Sequence, residues 1–386
     1  MPVPLDISAA LGLLENSAIP SVLACGGELK NTFCVTKGSK AFLSHHIGDL
    51  ENIETFLSFE SGIEHFKRIF VIEPQLAAFD LHPDYLSTKY AESLENLIKI
   101  PIQHHRAHIA SCMAENGVTE PVIGVAFDGT GYGDDGCIWG GEFFTGTYSG
   151  LERKAHFEYV PLPGGDAAIR EPWRMALSYL TQSFGEAFTA DRLPFLQKIG
   201  TDRTEMVLSQ LSKGVNAPLT SSVGRLFDAV SALLGLCGVI EYEGQAAIRL
   251  EKCADAASND SYAYEIYRDC APYRISVRPM LAEIVRDLGG GAGISRISGK
   301  FHHTIACIIL DLCRLLRAET GINKVALSGG VFQNRLLLGL SLDLLEGDGF
   351  TVYSHSRVPT NDGGISLGQA VLAINEDSKI RGFGLK

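Results

Sequence analysis

The sequence is short of several things, and each shortage removes a class of function. No apolar stretch approaches the ~18 residues that a membrane-spanning helix needs, so none is expected. No basic run exceeds two residues and the net charge is −12. That excludes a broad nucleic-acid-binding surface, though not a local basic groove. The nine cysteines, at 25, 34, 112, 137, 237, 253, 270, 307 and 313, form no CxxC pair. Most lie in apolar segments such as ACIILDLC, so they read as reduced, buried thiols rather than disulfides, zinc ligands or a nucleophile. The opening MPVPLDISAALGLLENSAIP has no charged leader and no continuous apolar core, so it does not read as a secretory signal. A cytoplasmic location is the expectation. Neither a Walker A nor a dinucleotide fingerprint is present.

What is there is an ordinary globular composition. The 386 residues are 46% hydrophobic and 20% charged, enough for two or three domains or one large two-lobed unit. SVLACGG, NTFCVTKG and KAFLSHH (21–46) read as a three-stranded meander. Helix ENIETFLSFESGIEHFKRI, strand FVIEPQ, helix YLSTKYAESLENL, strand KIPIQ and helix AHIASCMAENG follow. The order is βββαβαβα, and it recurs. PVIGVAFDG (121–129), CIWGGEFFTGTY (137–148) and ERKAHFEYVPL (152–162) are three further strands. Much later come helix FHHTIACIILDLCRLLRAETG, strand KVALSGG, helix VFQNRLLLGLSLDLLEG, strand TVYSHS and helix GISLGQAVLAINE. Two copies of this order describe the actin, sugar-kinase and Hsp70 type of α/β fold, two like lobes around a cleft. The lobes are expected at 1–120 and 121–386. The interval 165–300 is too long for one crossover and reads as a mostly helical insertion, a lid or substrate platform.

IQHHRAHIASCMAENG (102–117) raises the first chemical question. His104 and His108 are four apart, so on a helix they share one face and can bind one metal ion. They can equally be polar residues at a strand end. His105 and Arg106 point elsewhere. Glycine-rich turns follow strands at three places. FDGTGYGDDG (127–136) offers Gly129 and Gly131 for close approach to phosphate, and a strand-end Asp128 that can hold a metal or its water. LSGGVFQN (327–334) opens a helix whose N–H groups can hold a phosphate or ribose. PTNDGGISLGQA (359–370) again puts an acid and glycines at a helix start. Each could be a plain structural turn.

Other motifs are less common. LPGGDAAIREPWRMA (162–176) places Asp166, Arg170 and Glu171 before a helix that has Pro172 near its first position. SSVGRLFDAVSALLG (221–235) stands out without an assignment. EYEGQAAIRLE (241–251) offers Glu243, Gly244 and Gln245 at a helix start, for hydroxyl or amide recognition or as a surface cap. His302 and His303 are adjacent, so they diverge on a helix and read as supporting residues. GGGAGIS (289–295) reads as a hinge or linker.

Taken together, these seven segments, from IQHHRAHIASCMAENG to VPTNDGGISLGQA, resemble the carboxy-terminal half of the HypF carbamoyltransferases. Those are the maturation factors for the cyanide ligands of nickel–iron hydrogenase. The resemblance runs from about residue 20 to 380. It extends more distantly to the tRNA threonylcarbamoyl-transfer proteins and the antibiotic O-carbamoyltransferases. It implies that carbamoyl-adenylate is bound in the inter-lobe cleft and its carbamoyl group passes to the C-terminal cysteine of a partner, HypE. The family's metal-binding HxxxH falls on His104 and His108, and the carboxylate that completes the site on Asp362. Asp128 is a further ligand candidate, or lies on the phosphate side. Such a set suits Zn²⁺ or Fe²⁺ acting as a Lewis acid. For the nucleotide, an ATP or AMP moiety, the resemblance favours Gly329, Gly330 and Asn334, then Asp166, Glu243 and Gln245.

Family members carry an acylphosphatase-like domain, zinc-finger modules and an adenylate-forming domain ahead of this half. Here the family-like sequence begins almost at residue 1, so the second half-reaction is the expectation, with the adenylate supplied by an upstream or separate domain. His105 and Asp166 are the candidates for general base, each also readable as structural. An O-carbamoyltransferase, a sugar or acid kinase, and a non-catalytic nucleotide-binding scaffold remain the alternatives; a kinase would make ADP rather than AMP.

Overall fold

The computed structural model describes residues 4–12, 19–185 and 199–380. Its first sheet holds β1 (Leu5–Asp6), β2 (Val22–Ala24), β3 (Cys34–Lys37), β4 (Lys40–Leu43), β5 (Leu76–Asp80) and β6 (Ile98–Ile102), in the order β1-β4-β3-β2-β5-β6. Strands β2, β3 and β4 form the antiparallel meander, and β5 and β6 then add parallel to β2. The second sheet repeats this plan. β7 (Val122–Phe127), β8 (Gly141–Thr147) and β9 (Gly150–Phe157) are antiparallel, and β14 (Lys324–Ser328) and β15 (Thr351–Tyr353) add parallel to β7. The orders β4-β3-β2-β5-β6 and β9-β8-β7-β14-β15 match strand for strand. The duplication is therefore one of architecture, and the fold is the two-lobed α/β type.

In the first lobe the helices are α1 (Ser8–Leu11), α2 (Ile53–Phe70), α3 (Leu86–Ser93) and α4 (His104–Glu115). The strand expected over FVIEPQ lies further on. Helix α2 runs to Phe70, Val71 closes it with φ 52°, and the strand starts at Leu76 after Pro74. All five residues of Leu76–Asp80 are buried, so this central parallel strand has no alternation to mark it.

The interval after β9 is mostly helical, with α5 (Asp166–Arg170), α6 (Pro172–Phe184), α7 (Thr201–Lys213), α8 (Val223–Leu233), α9 (Gln245–Cys253) and α10 (Arg278–Gly289). Pro172 takes the first position of α6, where its missing N–H costs nothing. The interval also contributes strands. β10 (Val160–Pro161) pairs with β11 (Leu219–Thr220), and β12 (Glu265–Tyr267) and β13 (Tyr273–Ser276) extend the second sheet beyond β9. It is thus welded to the sheet. Trp173, Phe227 and Phe301 are buried in one core, with the Phe227 and Phe301 rings 4.8 Å apart. Helix α11 (Ile294–Thr320) then runs back to β14, and α12 (Arg335–Gly347) and α13 (Ile365–Ile380) follow.

Two helices tie the lobes together. Helix α13 follows the second sheet in sequence but packs on α4 and on β2, β5 and β6 of the first. Helix α4 in turn lies against β7 and β14 of the second sheet. The crossing is close because Gly368 has no side chain: a Cβ there would stand 1.8 Å from the Ala107 carbonyl oxygen. Residues 104 and 108 therefore sit at the seam between the lobes. All nine cysteines are unpaired, five of them buried. No helix of the described residues is long and apolar enough to cross a membrane.

Candidate metal and nucleotide site

The seam is built from three chain segments. Gln103 caps α4 by accepting a hydrogen bond from the Arg106 N–H, 2.9 Å, which starts the helix at His104. Asp128 follows the last residue of β7. Asp362 begins a short turn, Asp362–Gly364, that leads into α13. That turn is held from both sides, by Thr32 Oγ1 donating to the Gly363 carbonyl and Ser111 Oγ to the Gly364 carbonyl, 2.9 and 2.8 Å.

Asp128 Oδ2 lies 3.3 Å from His104 Nε2 and 3.2 Å from His108 Nε2. Asp362 Oδ1 lies 3.7 Å from each of the same nitrogens. The four ligand-type atoms all stand within 4.8 Å of one another. Two imidazole nitrogens and two carboxylate oxygens converging on one point is the donor chemistry of a divalent transition-metal site. Both rings are fixed from behind. Asp80 Oδ2 lies 2.7 Å from His104 Nδ1. His108 Nδ1 is 3.5 Å from Ser328 Oγ, which lies 2.8 Å from His355 Nε2, and His355 Nδ1 is 2.8 Å from Glu115 Oε2. Outer carboxylates of this kind orient ligating imidazoles.

Charge is balanced inside the cluster. Burial alone would push His104 down, but Asp80, Asp128 and Asp362 outweigh it and hold the imidazole well above its usual range. His108 follows the same pattern, raised by Asp128 and Asp362 against burial. Burial pushes both carboxyls up, and the two histidines reverse it, taking Asp128 well below the ordinary value and Asp362 to about 2. His105 lies on another side of α4. Burial and the charge of His104 keep it neutral, its Nδ1 is 3.2 Å from Gln103 Nε2, and its Nε2 is buried without a partner among the described residues.

Beside the cluster opens a cavity of about 370 Å³, with Asp128 in its wall. Four of the sequence-derived nucleotide residues line it: Gly129, Gly330, Asn334 and Glu243. Three do not. Gly131 backs the imidazoles; a Cβ there would stand 2.4 Å from His105 Cε1 and 2.9 Å from His104 Cδ2. Gly329, with φ 105°, lies against β7, where a Cβ would be 2.2 Å from the Phe127 carbonyl oxygen. Gln245 turns inward and accepts from the Glu241 N–H, 2.7 Å. Asp166 is exposed on the five-residue α5 and is not part of the cavity lining.

Asn334 is held by two contacts. Its Oδ1 accepts from the Leu337 N–H, 2.9 Å, capping α12, and its Nδ2 lies 2.9 Å from His302 Nε2. Burial holds His302 down to about 4, so the ring is neutral; Nδ1–H donates to the Ser298 carbonyl and Nε2 accepts from Asn334. That explains one member of the adjacent histidine pair as a support. Asp80, Lys30, Arg225 and the Ser328–His355–Glu115 chain escaped the sequence reading. Asp80 had a signal, since it ends an apolar strand in FDLHPDY just as Asp128 does in FDGTGYG.

Two family models divide the chain where α4 gives way to β7. The HypF Kae1-like domain matches residues 17–115. The second subdomain of the carbamoyltransferase Kae1-like domain matches residues 124–369. The chain belongs to the HypF carbamoyltransferase family. The Carbamoyltransferase HypF of Synechocystis sp. is 39% identical over 367 residues, which is 92% of this chain and 47% of that protein. A HypF homolog of Cupriavidus necator is 34% identical and covers 92% of each. Among solved structures, a full-length HypF in its phosphate- and nucleotide-bound form matches with a TM-score of 0.90 and 45% identity, over 98% of this chain and 48% of that one. The HypF of T. kodakarensis matches with a TM-score of 0.86 and 32% identity, over 99% and 50%. The chain thus spans about half the length of most HypF relatives it matches.

Proposed function

We propose that this chain transfers the carbamoyl group of carbamoyl-adenylate to the C-terminal cysteine thiol of a HypE-type partner in hydrogenase maturation. The observation that carries the reading is the cluster of His104, His108, Asp128 and Asp362, whose Asp128 also lines the 370 Å³ cavity, in a chain of the HypF family. Those four residues fit a divalent ion, Zn²⁺ or Fe²⁺. When bound, it supplies Lewis-acid neutralisation of phosphate or carbonyl oxygen. The rest is the work of side chains and backbone. Gly129 and Gly330 let the nucleotide approach the strand ends, and Asn334, pinned by His302, offers a polar group to it, while Glu243 lines the cavity paired with Lys30. In the reaction the carbamoyl C–O bond to the adenylate phosphate breaks, a C–S bond forms, and AMP leaves. The partner's thiol reacts as its thiolate, its proton having passed to solvent. His105 is neutral but does not border the cavity, and Asp166 is exposed outside it, so this reading assigns the proton to neither. Carbamoyl-adenylate comes from an upstream or separate adenylate-forming domain.

The test is intact-mass spectrometry of a HypE-type acceptor mixed with this chain and a separate source of carbamoyl-adenylate. A one-carbamoyl gain on the terminal cysteine, lost with His104→Ala, is expected. No gain in the presence of proven intermediate sinks the thiol acceptor, and hydroxyl acceptors come next.

A further inference from the structure

The segment SSVGRLFDAVSALLG has no part in the metal cluster, yet it forms the floor of the cavity. Its first residues are riveted to the end of β7. Ser222 Oγ donates to the Asp128 carbonyl, 2.6 Å, and the Gly224 N–H donates to the same oxygen, 3.1 Å. Gly224 permits this contact, because a Cβ there would stand 2.9 Å from Gly129 Cα. Ser222 Oγ also accepts from the Arg225 N–H, 3.1 Å, so it caps α8 and fixes where Arg225 leaves the helix.

Arg225 is 8% exposed and borders the cavity beside Gly129. A Cβ on Gly129 would lie 3.4 Å from its Nη2. The guanidinium is only partly used: Nη2 pairs with Asp228 Oδ2 at 3.1 Å. Nε and Nη1 are buried and have no hydrogen-bond partner among the described residues. A buried guanidinium with two unused donors carries a large desolvation cost that a bound acceptor would offset. Each of the two shares an edge of the guanidinium with Nη2, which carries a second N–H, so one edge remains that matches two oxygens of a phosphate or carboxylate in bidentate geometry. The other cavity cation, Lys30, is already paired with Glu243.

We propose that Arg225 is a phosphate-binding residue of this cavity. It takes phosphoryl oxygens of the nucleotide beside the Gly129 turn, while Asp228 holds the guanidinium in place. The assignment rests on the nucleotide reading given above and adds a residue and a ligand group to it.

The test compares AMP with adenosine, which share everything but the phosphate. Their binding to the wild-type chain and to Arg225→Met is measured by calorimetry, with melting curves to confirm folding. The expected result is a loss of at least about tenfold for AMP, with adenosine within about twofold. Arg225→Lys restores charge but not the two-donor edge, and recovers AMP binding in part; it also carries the test if the methionine variant does not fold. Equal losses for both ligands, or none for AMP, overturn the assignment while leaving the nucleotide reading intact. A wild-type chain that binds neither ligand overturns that reading, and the assignment with it.

Discussion

Asp80 Oδ2 stands 2.7 Å from His104 Nδ1, with both side chains fully buried at the point where β5 ends and α4 begins. The contact settles which face of the ring is free. With Nδ1 committed to Asp80, only Nε2 can turn toward Asp128 and Asp362. Asp80→Asn keeps the shape and removes the charge. Metal affinity is expected to fall by about 10–100-fold, the usual effect of losing an outer carboxylate, with the fold retained. Competition with a chelator of known affinity, using Zn²⁺, measures it. Unchanged affinity would show that Asp80 serves packing alone.

Glu115 gives the fold an acid-sensitive joint. Burial pushes its carboxyl up, but His355 and the N–H groups of Arg357 and Ser356 outweigh that and bring it from 4.5 to about 2. A carboxyl held below its unfolded value adds stability that is fully present above about pH 4.5 and lost as pH falls through about 2. Glu115→Gln is therefore expected to be less stable than wild type at pH 7 and to show a flatter decline between pH 5 and 2. Urea unfolding at a series of pH values reads the slope. Parallel curves for the two proteins would place the acid sensitivity elsewhere.

How much of this was legible in the sequence depended on what each residue touches. The duplicated order of strands and helices could be read because most elements are apolar runs punctuated by glycine. Leu76–Asp80 was misplaced because a strand buried on both faces carries no alternation, and Phe70 and Val71 ahead of it look strand-like while ending a helix. Strands β12 and β13 were missed because short edge strands with polar residues resemble loops. His104 and His108 announced themselves by spacing, and Asp128 by standing at a strand end. Asp362 was reached only through family resemblance. Glu115, Ser328 and His355 act on the site through other side chains and lie far apart in sequence, so no local pattern joins them. Gly330 and Gly329 differ in role though adjacent: one faces the cavity and the other accommodates a backbone oxygen, a distinction that only φ and contacts reveal.

Gly368 tests the joint between α13 and α4. A Cβ at this position meets the Ala107 carbonyl, which is backbone and cannot turn aside. Gly368→Ala is expected to cost about 1–3 kcal/mol through overpacking, despite the better helix propensity of alanine. Because Ala107 lies between His104 and His108, the displaced helix should also weaken metal binding. Thermal melting and the chelator competition check the two effects together. A stable variant with normal affinity would mean the helices separate without moving the histidines.

Lys30 and Glu243 close the cavity between the lobes, one from the loop after β2 and the other from the start of α9. Lys30 also feels the site acids: burial pushes its ammonium down, and Asp362, Glu243 and Asp128 outweigh it and hold the group above its usual range. Exposed pairs contribute little to stability, at most about 1 kcal/mol, and Glu243 is half exposed. Glu243→Gln should therefore leave the melting temperature nearly unchanged. Its effect should fall on ligands instead. A lysine released from its partner is free to meet an incoming phosphate, so AMP should bind more tightly to Glu243→Gln than to wild type, and more weakly to Lys30→Met. If Glu243 instead grips the nucleotide directly, Glu243→Gln weakens AMP and adenosine alike. Calorimetry with both ligands separates a latch from a contact.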